Sequence, residues 1–211
     1  MSAAISRTIP LLTVLALAGL PLAAQQSASV QAVRLGPTAG YLTFGTYFTG
    51  PGGLRFSNDN AAAFGGELEF PVWRELSVVG NVLHATSDWS FQGVPLLGSV
   101  TLGGASLWFF DAGLRLHFPL GSARTVMPFV EAGAGAIRYA VNNELLEGHA
   151  TNVAFVGGVG LATRIGERFG VEARVKDYFA SFKSVDEAAD LGVRGRRAHT
   201  VGFLVGVSIG L

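Results

Sequence analysis

The sequence predicts an all-β chain, an eight-stranded antiparallel up-and-down transmembrane β-barrel, and three observations predict it. Apolar and polar side chains alternate with period two, the connections alternate between long and short, and the glycines share a register with the charges. Of the 211 residues, 49% are apolar and 14% charged, with 15 basic against 15 acidic side chains and no cysteine. High apolar content at zero net charge excludes intrinsic disorder. The neutral balance argues against nucleic-acid binding, and the missing thiols remove disulfides, thiolate chemistry and cysteine-ligated zinc. The 29 glycines are about twice the usual share of roughly 7%, and charge is about half of the usual ~25%. That balance suits a chain solvated partly by something other than water.

Residues 1–24 have the layout of a cleavable secretory signal peptide: Arg7, an apolar core over 11–20, then Leu22-Ala23-Ala24 before Gln25. The core falls short of the ~20 residues of a spanning helix, and Pro21 interrupts it. Residues 25–38 follow as a periplasmic N-terminal tail or the start of the first strand, and 39–211 form the barrel. The longest uncharged stretch after the leader, 89–110, carries Gly93, Pro95, Gly98, Gly103 and Gly104. Those residues cripple a helix and suit strand and loop.

The dyads then set the strands in order. They are clear over 107–118, 129–137, 169–178 and 200–211, and fainter over 39–48, 61–70, 76–86 and 152–165. Over 169–178, Glu172, Arg174 and Lys176 alternate with Val171, Ala173 and Val175. A strand gathers these charges on one face, whereas a helix would scatter them. Strands of about 10–14 residues exceed the soluble norm of about 5–6 and suit a tilted membrane crossing. The connections run long (49–60), short (71–75), long (87–104), short (119–126), long (141–151), short (166–168) and long (181–197). A barrel in an outer membrane has short periplasmic turns and longer external loops, so four long external loops are expected.

Glycine fixes which face points inward. Gly113, Gly133, Gly135, Gly158, Gly160, Gly202 and Gly206 share the charged register. A narrow interior needs small residues beside long ones, whereas the outer face of a soluble barrel would carry Lys and Glu. The lumen therefore holds Glu67, Glu69, Asp111, Glu131 and Glu172 against Arg115, Arg164, Arg174 and Lys176. A near-neutral set in a tube of eight strands is expected to form a salt-bridge network that fills the interior in place of a hydrophobic core. Phe48, Phe64, Phe70, Trp73, Trp108, Phe110, Phe118 and Phe169 are expected in interfacial girdles.

The leader, the dyads and glycine-rich segments such as Pro128-Phe129-Val130-Glu131-Ala132-Gly133-Ala134-Gly135 resemble the small outer-membrane β-barrel superfamily, the group of the outer membrane protein A transmembrane domain. The resemblance covers 39–211. It implies a monomer in the outer membrane, with outer-membrane lipid and lipopolysaccharide as surroundings and insertion by the barrel-assembly machinery. The closing segment 206–211 is similar to that machinery's C-terminal signal, with Leu211 in place of the usual terminal aromatic. No periplasmic anchoring domain is expected after the last strand.

The function expected is structural or adhesive. One alternative is a lipid A-modifying enzyme, since some similar barrels are deacylases or acyltransferases that use a His and a Ser with an acid orienting the His. Where that family would carry His-x-Ser, this chain reads Lys176-Asp177-Tyr178-Phe179-Ala180-Ser181, so no catalytic residue is expected. His84 falls on a lipid-side or rim register, His117 at a periplasmic strand end, His149 in an external loop and His199 at the start of the last strand. No spacing for zinc or calcium occurs and no phosphate-binding glycine loop opens a helix, so neither metal nor cofactor is expected. A small pore is the other alternative. The basic cluster Arg194, Arg196 and Arg197 is either a solvated charge run or a contact for lipopolysaccharide phosphates.

Overall fold

The computed structural model describes residues 32–94, 98–120, 126–143, 146–166, 168–181, 194–195 and 197–211. The leader expected over 1–24 lies outside them. The strands are β1 (Arg34–Phe44), β2 (Phe48–Thr49), β3 (Arg55–Asn58), β4 (Ala61–Pro71), β5 (Leu76–Val94) and β6 (Gly98–His117), followed by β7 (Val126–Asn143), β8 (Leu146–Ile165), β9 (Phe169–Ser181), β10 (Arg194–Gly195) and β11 (Arg197–Gly210). Among the described residues, eight long strands close a ring in the order β1-β4-β5-β6-β7-β8-β9-β11, every neighbour antiparallel. β11 returns to β1, pairing Thr38 with Gly206 and Phe44 with Thr200. Closure leaves no open edge along the ring, the condition for strands to cross lipid without unsatisfied backbone groups. No helix among the described residues is long and apolar enough to cross a membrane.

Period two decides the two faces. Val205, Val207 and Ile209 of β11 are exposed, as are Val171 and Val175 of β9 and Leu114 and Leu116 of β6. Their neighbours Leu204, Arg174, Lys176 and Arg115 are buried. The narrow interior also explains the glycine pair Gly113 and Gly133, which face each other across β6 and β7. A Cβ built on Gly133 would lie 2.7 Å from the Gly113 Cα, so the two strands approach more closely there than any side chain allows.

Several expectations need correction. β1 starts at Arg34 rather than 39, inside the segment left open as tail or strand, and ends at Phe44 rather than 48. Gly45 N–H still reaches the carbonyl of His199 at 2.8 Å, but the chain then turns into β2. Two of the expected long loops are mostly strand. β5 and β6 pair as far as Val94 with Gly98, and β7 and β8 as far as Asn143 with Leu146. Register shifts between Trp89 and Ser90 and between Gln92 and Val94 break the dyad, which hides the first hairpin arm from a periodicity argument. β3 extends the sheet beside β5, β2 beside β3 and β10 beside β2. Arg194 therefore sits on a short strand rather than in a loop, and its side chain lies outside the description, as does Arg196 altogether.

The start of β1, the end of β11 and the short β4–β5 and β8–β9 turns lie at one end of the ring, the end that faces the periplasm in barrels that cross an outer membrane. Gly166 takes a φ of 68° in the second of these turns, a left-handed conformation that favours glycine. Phe70, Trp73, Phe118 and Phe169 stand exposed at that end, and Phe64, Trp108 and Phe110 stand exposed higher up. Phe48 departs from the expected girdle, for it packs partly buried against the interior.

Candidate functional site

The interior has two chemically distinct levels. Towards the periplasm, β6 presents Arg115, β9 presents Glu172, Arg174 and Lys176, β4 presents Glu67 and Glu69, and β7 presents Glu131. Arg115, 0% exposed, grips both oxygens of Glu67 at 2.8 and 2.7 Å, with Nη2 2.8 Å from Glu131 and Nη1 2.9 Å from Glu172. Its guanidinium also lies 4.1 Å from the Phe129 ring centroid. The planar fork of arginine suits bidentate carboxylate pairing of this kind. Arg174 donates to Glu67, to Glu172 at 2.5 Å and to Asn81 at 2.8 Å. Lys176 lies 2.8 Å from Asp111 and 3.1 Å from Glu131.

With Glu69 also 3.6 Å from Arg115, these contacts bring together eight of the nine lumen residues singled out in the sequence. The ninth, Arg164, makes no ion pair among the described residues, and its buried Nε has no partner. His117, whose register placed it with Arg115 and Asp111 but outside the lumen set, bonds Glu69 at 2.8 Å inside the wall. Asn81, which accepts from Arg174 and donates to Asp111 at 3.1 Å, escaped the sequence reading because it carries no charge.

The external half corrects the expectation that charges replace a hydrophobic core throughout. Leu42, Leu83, Leu107, Phe109, Ile137 and Val156 are buried there, with Tyr47, Tyr139 and Tyr178 among them. The rings interlock: Phe109 meets Tyr178 at 5.0 Å, Tyr47 meets Tyr139 at 5.9 Å, and Phe56 meets Trp89 at 4.4 Å between centroids. Tyr178 joins the levels, packing on Phe109 while its hydroxyl donates to Asp111 at 2.8 Å. Side chains thus occupy the interior at both levels.

The outer wall holds the polar groups relevant to catalysis. His199 Nδ1 lies 2.7 Å from Asp177 on exposed β9–β11 surface, beside the Phe179 ring at 4.7 Å. Across the barrel, His84 Nε2 lies 3.0 Å from Ser106 Oγ. The first pair is an acid with a base, and the second is a base with a hydroxyl. They stand on different strands, and no acid bonds His84 among the described residues. Arg197 is exposed at the external end of β11, and the side chain of His149 lies outside the description. Among the described residues, no cluster of three or more His, Asp or Glu is arranged to hold a metal ion.

A family model described as "Outer membrane protein beta-barrel domain" matches residues 12–208. The chain belongs to this family. Outer membrane protein β-barrel domains sit in the outer membrane, and the apolar belt around this one is the face such a setting requires. The solved structure of Neisserial surface protein A is 12% identical and covers 85% of this chain and 97% of its own, with a TM-score of 0.60. The outer membrane protein OprG from Pseudomonas aeruginosa is 13% identical and covers 86% of this chain and 97% of its own, with a TM-score of 0.57. The outer membrane protein AlkL, determined in lipid bilayers, is 15% identical and covers 89% and 94%, with a TM-score of 0.52. These likenesses carry the barrel fold. No curated protein matches the chain.

Proposed function

We propose that this outer-membrane barrel is a structural or adhesive, non-conducting protein that presents rigid hairpins to the outside. The observation that carries the reading is the doubly filled interior, charged below and aromatic above. An ion would have to displace Arg115 from its carboxylates and then part the Phe109–Tyr178 packing, and each step removes contacts that water in so narrow a tube cannot replace. The hairpins β5–β6 and β7–β8 continue their ladders towards the external end, so what they present is held by backbone hydrogen bonds rather than by loop packing. Their surroundings are outer-membrane lipid and lipopolysaccharide, which Arg197 faces from the rim. A catalytic role is disfavoured because acid, base and hydroxyl do not meet in one constellation among the described residues.

Planar-bilayer recording tests the filled lumen: the refolded protein is expected to give no conductance steps above background, and reproducible steps would overturn it. Grafting a short turn in place of residues 92–100 tests the adhesive role. Cells carrying the graft should lose surface attachment while the protein keeps its heat-shifted gel mobility. Unchanged attachment leaves only the structural role.

A further inference from the structure

The outward face of β4–β8 carries a built amphiphilic groove. Antiparallel registers place Leu68, Gly80, Ala112, Ala134 and Phe155 in one continuous row around five strands. The three small residues beside Leu68 leave a depression in the wall. With Leu35 at its edge and Val82 and Phe110 above, it forms an open, apolar groove of about 720 Å³, within the usual range of small-molecule sites of roughly 300–1,000 Å³. Two rows towards the external end, the same strands carry Phe64, His84, Trp108, Arg138 and Thr151 side by side. Arg138 is exposed and has no hydrogen-bond or ion-pair partner among the described residues. Elsewhere on the outward wall, Asp177 has His199 as a partner at 2.7 Å. Among the described residues the Arg138 charge therefore has no counter-ion, at the border where an apolar wall gives way to polar residues.

We infer that this face binds one lipid A molecule of the outer leaflet, with an acyl chain in the groove and a phosphate on Arg138. The spacing fits an amphiphile: Ala134 to Arg138 spans roughly 13 Å along the strand at about 3.3 Å per residue. A guanidinium takes a phosphate bidentately. His84, whose ring lies 4.6 Å from Trp108, and Ser106, bonded to it at 3.0 Å, offer further polar groups to the head. The external placement selects the lipid, because the outer leaflet is where a phosphorylated glycolipid meets this row. The inference rests on the outer-membrane setting and not on whether the protein adheres or conducts.

Native mass spectrometry of the detergent-solubilised barrel, titrated with diphosphoryl lipid A, tests it. One adduct should persist at detergent levels that strip all others. Arg138→Ala is expected to weaken it about 10-fold, the loss of a charge-assisted contact, and Ala134→Phe, which fills the groove, should do the same. Val205→Phe places the same ring on β11, away from the groove, and should leave the adduct intact. Heat-shifted gel mobility of each variant establishes that it is folded. Equal adduct retention by Arg138→Ala and Ala134→Phe overturns the inference, and so does equal retention of phosphatidylglycerol, since any anionic lipid would then suffice.

Discussion

Read up the inward positions of β6 from the periplasmic end, and the side chains run His117, Arg115, Gly113, Asp111, Phe109, Leu107 and Ala105. On β7 the matching run is Phe129, Glu131, Gly133, Gly135, Ile137 and Tyr139. Within the same strands, interior chemistry passes from ion pairs to aromatic and aliphatic packing, and Tyr178 holds the seam. The lower half concentrates its stability in a few cations that each neutralise several acids, so its parts depend on one another. The upper half spreads stability over many weak contacts, each of which can be lost nearly alone.

The sharpest way to break the comparison is Arg115→Met. Glu67, Glu131 and Glu172 would keep their burial and lose their principal cation, and breaking a buried pair by removing one partner costs about 3–5 kcal/mol. With several acids affected, the loss should lie at the upper end, read as a lower urea midpoint of the refolded barrel in detergent. Adding Glu67→Gln and Glu131→Gln should recover part of it, because the uncompensated charge goes too. A loss below about 1 kcal/mol, the size of a surface pair, would mean that the lower half is not the interdependent network drawn above. Arg115→Lys should also destabilise, since one ammonium cannot reproduce the two-pronged contact with Glu67.

Next in size is Phe109→Ala in the upper half, expected to cost about 3–4 kcal/mol through transfer and cavity terms. What distinguishes it is its recovery. Phe109→Leu should cost less, about 1–2 kcal/mol, because leucine refills most of the volume and gives up the ring contact with Tyr178. Tyr178→Phe probes the seam and should cost about 1–1.5 kcal/mol, since Asp111 keeps Lys176 at 2.8 Å and Asn81 at 3.1 Å. A loss as large as that of Arg115→Met would place Tyr178 in the network rather than at its border.

This division was only partly legible in the sequence. Strand existence, closure and facing follow from alternation, because lipid outside and a narrow lumen inside impose opposite demands on successive residues. Glu172, Arg174 and Lys176 announce their face by charge. Leu107 and Phe109 do not, since the run Leu107-Trp108-Phe109-Phe110 is apolar on both faces, and only the parity of Asp111 shows which members turn inward. The β5–β6 hairpin arms were hidden by the irregularities near Trp89 and Gln92. Arg164 illustrates the limit of register reasoning: it shares the inward parity, yet partner choice depends on height along the strand, and the acids cluster around Arg115 and Arg174 instead.

The smallest effect expected is His199→Gln. The pair with Asp177 has charged-group chemistry like that of the lumen and a distance of 2.7 Å, but its side chains are 59% and 40% exposed. Water competes for both partners and salt screens them, so the loss should be about 0–1 kcal/mol. It should shrink further as salt rises, whereas the Arg115→Met loss should hardly respond to salt because its ions are shielded from solvent. Comparing the two variants at low and high ionic strength thus separates burial from charge as the reason the lower lumen matters. A His199→Gln loss rivalling that of Arg115→Met would mean that the external rim, and not the interior, carries the electrostatic stability of this barrel.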